Sequence, residues 1–143
     1  MAHPDLDELL NALVPFAQKM LQERGEFYPF GASMQSDGTI SLVSANADGS
    51  EFPKSTDLIE LMEMCLQKEA KSGKIKASGI CMDVRVIEPG KSDKTDAIRV
   101  DLEHKEGQVV SVFLPYEKGP AQKVTYGKIF ASSAKQKIFV PVI

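Results

Sequence analysis

The chain predicts an α+β fold in which a single antiparallel sheet of about five or six strands is covered by two main helices. Three observations predict it. Two stretches, one at the N-terminus and one near the middle, repeat apolar residues at three- and four-residue spacing. The second half is rich in short alternating runs instead, the clearest being DAIRVDLEH. No repeat, low-complexity tract or linker divides the 143 residues, a length that fits one domain over 1–143.

The first helix begins near Asp5, which can cap it, with Glu8 placed to reach back as in a capping box. Leu6, Leu9, Leu10, Leu13, Ala17, Met20 and Leu21 form its apolar stripe. Pro15 removes one backbone donor and predicts a kink near Asn11, and Gly25 supplies the stop. The stretch GEFYPFGASM follows. Read as a strand, it sets Tyr28, Phe30, Ala32 and Met34 on one face and Phe27, Pro29, Gly31 and Ser33 on the other. A turn at SDG leads into TISLVS, which completes a hairpin.

NADGSEFPKS, 46–55, reads as a loop. Ser55, Thr56 or Asp57 then caps a second helix with the stripe Leu58, Leu61, Met62, Cys65, Leu66 and Ala70, ended by Gly73. Strands are predicted over 75–87, 96–104 and 108–115. In the middle one, Ile98, Val100 and Leu102 face one way while Arg99, Asp101 and Glu103 face the other, the pattern of an antiparallel sheet. VTYGKIF is strand or short helix, and KIFVPVI reads as a last strand. The element order is therefore α-β-β-α-β-β-β with a further strand at the end.

Composition narrows the function. Net charge is −3, and the acidic and basic residues are interspersed. This argues against a nucleic-acid partner, which needs a concentrated basic footprint. Cys65 and Cys81 match neither a zinc pattern nor a disulfide framework. No run approaches a membrane span, so a cytoplasmic protein without a membrane partner is expected. No cofactor or metal is expected either. EPGKS lacks the first glycine of a phosphate loop, since Arg85 occupies that position.

Two candidate sites remain. Phe27 and Pro29, on the outward face of an edge strand, form a candidate partner-binding surface, because aromatics are enriched at interface centres. The alternative is a polar cluster of Asp83, Asp101, Glu103 and His104, a combination that could serve acid–base catalysis or ligand binding. Strand alternation counts against it by setting His104 opposite Asp101 and Glu103. Lys118, Lys123, Lys128, Lys135 and Lys137 make the last third basic, which suits contact with an acidic partner or, more commonly, the guarding of an edge strand.

The element order over residues 5–115 resembles the roadblock and profilin-like layout. It departs at KIFVPVI, where roadblock proteins carry a terminal helix. GEFYPFGA followed by a DG hairpin is similar to small bacterial α+β proteins of the immunity-like kind. The reading is thus a non-catalytic module that binds a protein partner or itself. A small enzyme or ligand-binding domain around His104 is the alternative.

Overall fold

The computed structural model describes residues 3–44 and 54–140. It contains two α-helices and one open antiparallel sheet of seven strands. Helix α1 is Pro4–Arg24 and α2 is Ser55–Lys71. The strands are β1 (Phe30–Gln35), β2 (Ile40–Val43), β3 (Ile75–Ile87), β4 (Lys94–His104), β5 (Val109–Lys118), β6 (Val124–Tyr126) and β7 (Phe130–Ser133). Their order across the sheet is β2-β1-β3-β4-β5-β6, with β7 beside β6 on the same flank of β5. The two short strands on that flank bring the total above the expected five or six. No helix among the described residues is long and apolar enough to cross a membrane.

Helix α1 covers one face. Leu6, Leu9, Leu13, Ala17 and Leu21 lie on Ala32 and Met34 of β1, Ala77 and Cys81 of β3, and Ile98, Val100 and Leu102 of β4. Gly79 of β3 lets the helix approach closely, since a Cβ there would sit 2.6 Å from Leu13 Cδ1. His3 caps this helix, its Nδ1 accepting from the Asp5 N–H at 3.1 Å, so Asp5 falls inside the first turn. The helix runs through Pro15 to Gly25, whose φ of 78° and N–H bond to the Leu21 carbonyl end it.

The other face is covered differently. Met62 and Leu66 of α2 pack with Ile75, Ile80 and Met82 of β3, joined by Ile138 from the C-terminal segment. The buried edge of α2 is Leu58, Met62 and Leu66. Leu61 and Cys65, expected in that stripe, are exposed, because the contact stripe runs through Leu58, Ile59, Met62, Leu66 and Ala70 and these two lie off it. Its N-cap is Lys54, without a side-chain cap; Ser55, Thr56 and Asp57 belong to the first turn. Most of the predicted 46–55 loop lies outside the described residues.

Two further expectations are corrected. Regular strand begins at Phe30, so alternation does not extend back through residues 26–29. Phe27 folds in to meet the Phe30 ring edge-on at 5.8 Å, and both Phe27 and Pro29 are buried. Tyr28 is the exposed residue, at 51%. KIFVPVI does not open as a strand either. Residues 137–139 make a bend laid across the α2 face, and 141–143 lie outside the described residues.

Candidate functional site

Alternation along β4 decides which polar side chains meet. Arg99, Asp101 and Glu103 point to the α2 face, where their cross-strand neighbours on β5 are Phe113, Ser111 and Val109. On β3 they pair with Met82, Ile80 and Ser78. Beyond β5, Ser111 and Phe113 meet Ser132 and Phe130 of β7. Helix α2 lies over β1 and β3. The β4–β5–β7 half of this face is therefore left as a groove of about 360 Å³, walled by Glu63 of α2 on one side and by Lys135, Lys137 and Ile138 on the other. That volume falls within the range of small-ligand pockets.

Two carboxylates organise the groove. Asp101 accepts from Arg99 Nε at 2.9 Å and from the Ser111 hydroxyl at 2.6 Å. The guanidinium also lies over the Phe113 ring, 5.6 Å from its centre, and Phe113 stacks on Phe130 at 5.0 Å. Glu103 is buried, and its two oxygens accept the main-chain N–H groups of Lys137 (2.8 Å), Ile138 (2.9 Å) and Phe139. Three successive N–H groups aimed at one anion form a nest, here filled by the protein's own carboxylate. Gln67 of α2 donates to the Lys137 carbonyl at 2.6 Å and fastens the other side of the bend.

The predicted polar cluster does not assemble. Asp101 and Glu103 line the groove, whereas Asp83 and His104 point to the α1 face. There Asp83 is paired with Ile98 and His104 with Ala77, so the two lie about 20 Å apart along the strands. Asp83 accepts from the Tyr116 hydroxyl at 2.6 Å. Burial nonetheless raises its carboxyl above the usual range, with the Asp96 charge adding to the effect.

His104 is buried at the start of α1. Its Nδ1 accepts from the Glu106 N–H at 3.1 Å, which leaves Nε2 to donate to Asp5 at 2.9 Å. That bond, helped by Lys76, holds the Asp5 carboxyl below its ordinary value against the opposing effect of burial. The His3 ring stacks on His104 at 4.0 Å and its Nε2 reaches Glu106 at 3.0 Å. His3, His104 and Glu106 bring their ligand atoms within 4.8 Å of one another, close enough to share a metal ion. Each of these ring nitrogens already has a hydrogen-bond partner, so the cluster is accounted for as a clasp between α1 and the β4–β5 turn.

Sequence reasoning missed Ser78, Ser111, Phe113 and Ser132. The signal was a serine at an inward position of an otherwise apolar strand, as in VVSVFL and IKASGI. Comparison with protein-family models, with curated proteins and with solved structures finds no match to this chain.

Proposed function

We propose that this protein is a non-catalytic interaction module that takes an extended segment of a protein partner along the outer edge of β7, with side chains of that segment lodged in the groove. The observation that carries the reading is the coincidence of a free strand edge with a cavity. Strand β7 pairs with β5 on one side, and no described strand pairs with the other. Ser132 and Ser133 of that strand also line the groove. Strand addition draws affinity from main-chain hydrogen bonds and specificity from pockets for alternate side chains, and this flank offers both.

The placement of lysines supports it. Lys128 and Lys135 flank β7 while FASS itself carries none, so the charges that discourage indiscriminate pairing leave these four residues open. The state of the carboxylates favours binding over catalysis. Asp101 is held by Arg99 and Ser111, Glu103 is spent on the C-terminal bend, and neither has an imidazole beside it. The chain's own bend on this face, its main-chain N–H groups gripped by the buried Glu103, is a further support for the reading.

The test is selection from a library of extended peptides, followed by amide hydrogen exchange of the complex. Protection should rise at residues 130–133 and be lost in the double variant Ser132→Lys/Ser133→Lys, which leaves the core untouched. A selected peptide that protects another region, or that binds the double variant equally well, would sink the proposal.

A further inference from the structure

The side of α2 turned away from the sheet carries an apolar strip. Leu61 is 37% exposed and Met64 65%, and Cys65 beside them is also exposed. An amphipathic helix normally sets charges there. Four charges do share the strip: Asp57, Glu60, Lys68 and Lys71, all exposed. Among the described residues none of the four has an ion-pair partner, although other charges of α2 do, Glu63 with Lys137 and Glu69 with Lys74.

Their spacing is symmetric. Asp57 and Lys71 lie seven residues either side of Met64, and Glu60 and Lys68 lie four either side. We infer that a second copy of this chain docks on this face, α2 against α2 and antiparallel, with Met64 on the two-fold axis. In that arrangement Asp57 meets Lys71 of the second copy and Glu60 meets its Lys68. Each pair then occurs twice, as an isologous interface requires. Acids at the N-terminal end and bases at the C-terminal end also suit the helix dipole, and antiparallel pairing sets each positive end beside a negative one. Leu61 and Met64 supply the apolar centre that the charges surround, the anatomy of a small interface.

A single helix pair sits at the low end of interface sizes, below about 1,200 Å², so the dimer is weak and concentration-dependent. It places the two Cys65 residues across the axis from one another on the same face of the helix pair, on helices about 8–10 Å apart, within reach of a short bis-maleimide. Cys81 is buried in the core, where burial drives its thiol far above the ordinary value, and it stays silent.

Sedimentation of the full chain from about 10 µM to 1 mM should show a reversible monomer–dimer equilibrium, with cross-linking confined to Cys65. Met64→Glu should weaken the dimer at least about tenfold by setting two carboxylates face to face. Asp57→Lys/Glu60→Lys should do the same, as should Lys68→Glu/Lys71→Glu, while a one-to-one mixture of these two double variants should recover dimer. The recovery separates a lost contact from a lost fold. A chain that stays monomeric throughout, or a dimer indifferent to all three variants, would overturn the inference.

Discussion

The two faces of the sheet are covered by helices of similar length yet have little else in common. The α1 face is closed. One long helix lies across three strands on a continuous apolar floor, and its polar groups at the rim are paired with one another. The α2 face is divided. Its helix seals β1 and β3, and the remaining half, lined by Arg99, Asp101, Glu103 and Ser111, is spanned by a bend of the C-terminal segment. The difference teaches where each kind of residue belongs. Apolar positions of β4 and β5 stabilise through α1, and the alternate positions on the same strands line the groove.

The contrast predicts unequal losses. Leu9→Ala removes a fully buried side chain from the closed face and should cost about 2–5 kcal/mol in chemical denaturation, felt as one global transition. An equally deep loss of stability from Arg99→Ala, on the open half of the other face, would break the comparison.

Glu103→Ala should cost less, about 2–3 kcal/mol, because it strips a charged acceptor from three N–H groups at the periphery of the fold. Its signature is local. Amide exchange at 137–139 should accelerate well before that of α1, and simultaneous loss of protection in both would show that the bend is integral to the core.

The smallest effects are those of pH, and they have opposite signs at the two ends of the α1 face. Asp83 titrates above its ordinary value when folded, so its contribution is full below about pH 4 and is lost as pH rises through the raised value. Asp5 titrates below its ordinary value, so its contribution is full above about pH 4 and is lost as pH falls through the lowered one. Stability profiles of Asp83→Asn and Asp5→Asn should each lose one of these slopes and keep the other, and profiles parallel to that of the unaltered chain would refute the assignment.

Much of the fold was legible because side-chain period follows backbone period. DAIRVDLEH split its faces as alternation requires, with His104 opposite Asp101 and Glu103, and the α1 stripe was buried almost residue for residue. The failures arose where no period applies. Phe27 and Pro29 precede the first regular strand residue, so counting in twos placed them outside when they are inside. Leu61 and Cys65 match a helical stripe in spacing, but α2 is rotated so that Leu58, Ile59, Met62, Leu66 and Ala70 meet the sheet and these two turn away from it. Half of the groove was visible as charged residues on β4. The rest depends on register with β5 and β7 and on a bend whose partner, Glu103, lies more than thirty residues earlier.

The clasp at the start of α1 has a consequence for the order of assembly. His3 and Asp5 are fastened to Glu106 and His104, 103 and 99 residues further along. Strands β3, β4 and β5 meet through short turns and close small loops, at far lower entropic cost than a loop of that length. The meander has to exist before the clasp has anything to close upon. The helix that precedes every described strand is thus the last to be locked, and until then its row of leucines waits for a floor made from the middle of the chain.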